Sequence, residues 1–183
     1  LQSVALGWLE LKKDDVSPTY AFKIEQGLNN HIFPRLGKLP IHKINAPETI
    51  ALLKPIADAG HLVTVRKVCR WLNEIMVHAA NTGVIYSNPL SGIIAAFKKP
   101  KTRNMPTLKP EQLPTLMKVL SKANVGFVTR NLTEWQLHTM VRPAEAAAAR
   151  WDEIDFKSKE WRIPEGRMKT KKPHTVPLSK QAI

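Results

Sequence analysis

Between His61 and Asn81 the apolar residues Leu62, Val65, Cys69, Leu72, Met76 and Ala79 recur every three or four positions, with Arg66, Lys67, Arg70 and Asn73 opposite them. That period predicts an amphipathic helix with one buried stripe and one polar face. Ahead of it, Ser17-Pro18 supplies a cap and a first-turn proline, opening a helix through Tyr20, Phe22, Ile24 and Leu28 that Pro34 and Gly37 stop. Leu39-Pro40-Ile41 reads as a short extended connector. Asn45-Ala46-Pro47-Glu48 is a further helix start, its carboxylate favoured by the helix dipole, and that helix runs through Ile50, Leu52, Leu53 and Ile56 to Gly60. Beyond Asn81, Gly83, Asn88-Pro89 and Gly92 leave room only for a short helix.

The periodicity then lapses. From Phe97 to Pro106 there are two prolines, no apolar repeat and four basic residues (Lys98, Lys99, Lys101 and Arg103), which is a basic linker. Past it, a helix opens at Leu108–Leu113 and ends near Ala123. Another spans about Gly126 to Met140 with Phe127, Leu132, Trp135 and Leu137 facing the core, and Arg142 starts a third, in which Ala146–Ala149 allow close packing. Trp151–Phe156 and Trp161–Ile163 read as strands joined by a turn, Pro173–Pro177 as a third strand, and Ser179 as the cap of a helix barely begun. The expected fold is mainly α with a small β-sheet: a helical domain over 1–97, a linker over 98–107 and an α+β part over 108–183.

No run of about 18 apolar residues is present, so no transmembrane helix is expected. The start, Leu1-Gln2-Ser3-Val4, has neither an initiator Met nor the order of a signal peptide and reads as an internal cut. A single cysteine, Cys69, suits a reducing cytoplasm. Charge adds more: 28 Lys+Arg against 15 Asp+Glu give a net +13, the footprint of a protein that meets a polyanion. The face carrying Arg66, Lys67 and Arg70 is then either an ordinary solvated surface or a phosphate contact, and the linker either a plain tether or a segment that tracks a phosphate backbone.

Arg142 follows an apolar run, so its guanidinium sits at a helix junction near a core, where it could grip a phosphate oxygen through two parallel hydrogen bonds. Glu145, three residues on, shares its helical face and could orient it. The same pair could equally be structural. In the basic hairpin Arg167-Met168-Lys169-Thr170-Lys171-Lys172, Lys169 is open to two roles, a proton donor or a lysine that binds the DNA backbone. An ammonium with the usual value of about 10.4 is a poor acid at neutral pH. Arg167 and Lys171 would share its face in an alternating strand, and like charges lower an ammonium's value. The six histidines show no metal spacing, no glycine-rich phosphate loop is present, and neither a metal nor a nucleotide cofactor is expected.

Val141-Arg142-Pro143-Ala144-Glu145, followed by Arg150-Trp151-Asp152-Glu153-Ile154-Asp155-Phe156, resembles the first arginine box of the phage-type integrases, a branch of the tyrosine recombinases. The resemblance continues to Thr175-Val176-Pro177-Leu178: in that family a hairpin lysine lies seven residues ahead of the valine, and here that residue is Lys169. The one departure is Val141, where family members often have glycine. The resemblance implies a helical core-binding domain over 1–97 and the opening of a catalytic domain over 108–183, with Arg142 and Lys169 catalytic and Glu145 supporting. It further implies DNA contacts from Arg66, Lys67, Arg70, Lys98, Lys99, Lys101, Arg103, Arg167, Lys171 and Lys172. The implied chemistry is site-specific recombination through a 3′-phosphotyrosyl intermediate. The implied partners are double-stranded attachment-site DNA, further copies of the chain as a tetramer, and accessory DNA-bending or directionality factors. The family's second arginine box and its tyrosine lie downstream of Val-Pro-Leu, and the two tyrosines here, Tyr20 and Tyr86, lack their neighbours. The chain therefore reads as a truncated fragment expected to bind DNA without cutting it. A noncatalytic regulatory or architectural DNA-binding protein and a protein-interaction module with basic faces are the rival readings.

Overall fold

Ser17 starts its helix as the spacing predicts, its side chain accepting a hydrogen bond from the Tyr20 amide at 3.3 Å. This is seen in a computed structural model that describes residues 1–101 and 104–183, with Leu1–Asn104 forming one unit and Met105–Ile183 another. In the first unit, α1 (Gln2–Asp15), which the apolar pattern did not delimit, buries Ala5, Trp8 and Leu9. Helix α2 (Pro18–His31) buries Ala21, Ile24 and Leu28. After a turn and a short 3₁₀ segment at Ile41–Lys43, α3 (Ala46–Asp58) begins under Asn45, whose Oδ1 accepts from the Glu48 amide at 3.0 Å. Gly60, at φ +86°, then reverses the chain.

Helix α4 (Leu62–Asn81) is the axis of this unit, packing against α1, α2 and α3. Its buried stripe is wider than the spacing indicated, adding Val68, Trp71 and Ile75 to the expected Val65, Cys69, Leu72, Met76 and Ala79. Burial pushes the Cys69 thiol up to about 11. Tyr20 packs at the edge of this core, its hydroxyl accepting from Trp71 Nε1 at 3.4 Å, whereas Tyr86 stands fully exposed in the loop that follows α4. The remaining short helix is a 3₁₀ turn at Ile93–Ala96, and Phe97 closes the core.

The second unit holds α5 (Leu113–Lys122), α6 (Phe127–Thr139), α7 (Pro143–Ala147) and an antiparallel sheet of order β1-β2-β3. The strands are β1 (Ile154–Asp155), β2 (Glu160–Ile163) and β3 (His174–Pro177). Trp161 pairs with Ile154 on one side and Val176 on the other, and Ile163 pairs with His174. Trp161, Ile163 and Val176 point one way into a core completed by Val141, Ala146, Met168 and Leu178. Among the described residues no helix is long and apolar enough to cross a membrane.

Four local expectations need correction. Trp151–Glu153 is a 3₁₀ turn, closed by the Ile154 amide donating back to the Trp151 carbonyl, and only Ile154 and Asp155 pair with β2 as strand. Helix α7 stops at Ala147, so the alanine run leaves the helix midway. Phe127 lies outside the core: it stands 75% exposed in the first turn of α6, lining an open apolar recess with Val128, Trp151 and Phe156, while Leu132 and Trp135 further along reach the core. The segment from Met168 to Pro173 is a loop between β2 and β3, so strand alternation does not put Arg167 and Lys171 on the face of Lys169.

Candidate active site

The arginine box begins with a backbone device. Met140 caps α6 in the left-handed region at φ 53°, reversing the chain so that Val141 enters the core and Arg142 emerges extended at φ −68° and ψ 149°. The turn is thus made one residue before the position where the family often has glycine, and Val141 serves as packing. Pro143, whose ring presets the first helical φ, starts α7 immediately afterwards. That start brings Glu145 back over Arg142. Glu145 Oε1 accepts from Arg142 Nη1 at 2.8 Å and Oε2 from the Arg142 amide at 3.0 Å.

The two partners differ sharply in exposure: 6% of the Glu145 side chain is exposed and 55% of that of Arg142. The Arg142 side-chain and backbone hydrogen bonds hold the Glu145 carboxyl below the ordinary carboxylate range against the opposing effect of burial, and His174 adds a smaller push in the same direction. A buried, ionised carboxylate therefore fixes one edge of an accessible guanidinium. Such an arrangement presents a preorganised cation to an oxyanion from solution.

Beneath this pair lies a layer that local spacing did not reveal. Arg167 is only 20% exposed, and Nη2 donates to the main-chain carbonyl of Glu145 at 2.7 Å while Nη1 donates to both carboxylate oxygens of Glu153. Glu153 Oε2 also accepts from Trp161 Nε1 at 2.9 Å, and the Trp161 ring stacks at a tilt on Trp135 with 5.2 Å between centroids. Burial alone would raise the Glu153 carboxyl, but the hydrogen bonds from Trp161 and Arg167 reverse that and leave it below its ordinary value. Removing one member of a buried ion pair costs about 3–5 kcal/mol, since the other is left uncompensated. Arg167, expected at the DNA, thus has its guanidinium turned into the protein.

Lys169 lies exposed two residues along, directly after the buried Met168, and Lys171 and Lys172 are exposed in the same loop, Lys171 at φ 50°. The structure thus brings Arg142, Glu145, Arg167 and the root of the Lys169 loop together around α7. In the first unit, Lys67 and Arg70 are exposed and Arg66 half-buried on α4, whereas Asn73 is engaged by Asn88 at 2.8 Å. Lys98, Lys99 and Lys101 are exposed, and Arg103 lies outside the described residues. Among the described residues no three His, Cys, Asp or Glu side chains assemble as a metal site would require.

Comparison with known proteins covers both units. The phage integrase central domain profile matches residues 1–96, and the phage integrase family profile matches residues 106–183. Prophage integrase IntA of Escherichia coli K12 is 46% identical over 180 residues, which is 98% of this chain and 44% of that protein. A lambda integrase dimer bound to a COC′ core site aligns with a TM-score of 0.78 at 16% identity, over 97% of this chain and 62% of that one. The Tn1549 transposon integrase in complex with a circular intermediate DNA also aligns at 0.78, with 14% identity over 98% and 61% of the two chains. At these identities the solved structures establish the shared fold, and the chain spans less than half the length of IntA.

Proposed function

The chain belongs to the phage integrase family, and on that premise we propose that it is part of a site-specific DNA recombinase that integrates and excises mobile DNA through a 3′-phosphotyrosyl intermediate. The observation that carries this reading is the exposed Arg142 guanidinium held by the buried Glu145 carboxylate. Residues 1–97 are assigned as the core-binding domain, 98–107 as a linker along the DNA backbone, and 108–183 as the first part of the catalytic domain. Arg66, Lys67, Arg70, Lys98, Lys99, Lys101, Arg103, Lys171 and Lys172 are assigned to phosphate contacts. The protein works in the cytoplasm on double-stranded attachment sites, as a homo-oligomer.

In the proposed reaction a tyrosine supplied by the rest of the protein attacks the scissile phosphorus. The new Tyr O–P bond forms as the P–O5′ bond breaks; the phenolic proton is given up to solvent as the oxygen attacks, and the departing 5′-oxygen takes a proton from Lys169. Arg142 stabilises the charge that gathers on the nonbridging oxygens. Each role has its own signature in the full-length protein. Arg142→Ala is expected to abolish the covalent complex, a loss of about 3–4 kcal/mol or more of transition-state stabilisation. Lys169→Ala is expected to cripple cleavage of ordinary DNA and to recover when sulfur replaces the leaving 5′-oxygen, because a thiolate departs without a proton. Arg142→Ala gains no such recovery. If sulfur rescues neither variant, Lys169 is a binding residue; if Arg142→Ala cleaves normally, the recombinase reading loses its chemical basis.

A further inference from the structure

Arg167 looks, from sequence, like one more basic residue of the hairpin, yet it is the least exposed arginine of the ion pairs in this unit, and its guanidinium joins three segments distant in sequence. Nη2 reaches the main-chain carbonyl of Glu145 on α7, Nη1 reaches Glu153 ahead of β1, and its own backbone leads within two residues to Lys169. Glu153 is itself fixed by Trp161 Nε1 at the centre of the sheet. Its buried carboxylate is thereby tied to the most deeply packed ring of the second unit.

We infer that Arg167 is a positioning residue: anchored by Glu153, it ties the loop that carries Lys169 to the helix that carries Arg142 and Glu145. This role rests on the recombinase reading for its consequence, the delivery of the Lys169 ammonium to the leaving oxygen beside the phosphate that Arg142 holds. The geometry is otherwise independent of it. Two anchors flank the loop root, the Arg167 guanidinium and the buried Met168 side chain, so Lys169 is the first residue past them that is free to face a ligand. A main-chain carbonyl as acceptor makes the tie insensitive to what the Glu145 carboxylate does. The buried Nε of Arg167 has no partner among the described residues, so its holding interactions are those of Nη1 and Nη2.

The test uses the full-length protein and two variants, Arg167→Met and the paired Glu153→Gln/Arg167→Met, the second of which leaves no uncompensated buried charge if the first fails to fold. The paired variant is expected to cleave ordinary DNA about tenfold or more slowly, a part of the roughly 100- to 10,000-fold that a positioned general acid contributes, and to recover most of that loss on DNA with a bridging 5′-sulfur. Its salt slope for DNA binding is expected to stay unchanged. Unaltered cleavage of ordinary DNA overturns the inference, as does a loss that sulfur does not restore although it restores Lys169→Ala. A salt slope lowered by about one unit also overturns it, because it marks Arg167 as a phosphate contact. Lys169→Ala, run alongside, separates the two readings: if sulfur fails to rescue even Lys169→Ala, the acid role has failed, and trypsin then decides the positioning role alone. Cleavage after Lys169 and Lys171 in the folded paired variant is expected to quicken about tenfold through local opening; an unchanged rate overturns the tie.

Discussion

Glu145 and Glu153 are carboxylates that would be expensive to bury alone; Glu145 is kept ionised by both the side chain and the amide of Arg142, and Glu153 by Arg167 with Trp161 Nε1 beside it. Both carboxyls are held below their usual value of 4.5. A group whose value falls on folding stabilises the native state above its unfolded value and loses that contribution as the pH drops through the folded one. Acid titration followed by tryptophan near-UV signal should therefore show the second unit losing stability as the pH falls below the ordinary 4.5. Glu153→Gln should be less stable at neutral pH but flatter across that window. A titration curve of unchanged steepness would mean that the pair does not drive the acid response.

Within elements, the tightest constraint is where α2 meets α4. Gly27 faces the Trp71 ring so closely that an added Cβ would overlap it, and Trp71 is itself 5% exposed, with little space to retreat. Gly27→Ala would gain up to about 1 kcal/mol of helix propensity. Overpacking of a filled core costs about 1–3 kcal/mol, so the net change should be destabilising. Denaturant melts of the helical unit check this directly; a stabilised variant would show that the two helices can part without penalty. Element starts were legible because they are local: Ser17 and Asn45 each accept an amide three residues away, and residue type with spacing suffices to find them. Trp151–Glu153 was misread because strand formation needs a partner, and the aromatic and acidic composition of a segment does not reveal how many residues a neighbouring strand will pair.

Across the molecule, a net charge of +13 draws the protein to a polyanion from any direction, and the exposed Lys98, Lys99 and Lys101 concentrate part of that charge in a segment without regular structure. Replacing all three by alanine should weaken binding to every DNA sequence alike and lower the salt slope by up to about three units, measured by titration at several ionic strengths. A loss confined to one sequence would make these residues readers of bases. The family, the helical and α+β parts and the Arg142–Glu145 pair were legible along the chain, because each depends on residues within a turn or a motif of one another. The destination of Arg167 was not. Fourteen residues separate it from Glu153 and 22 from the Glu145 carbonyl, and in sequence it is indistinguishable from its neighbours Lys169 and Lys171. Only the closing of β2 onto β1, which sets Trp161 and Glu153 beneath α7, turns this one cation inward while its neighbours stay in solvent, since a buried carboxylate demands a partner and an exposed loop does not.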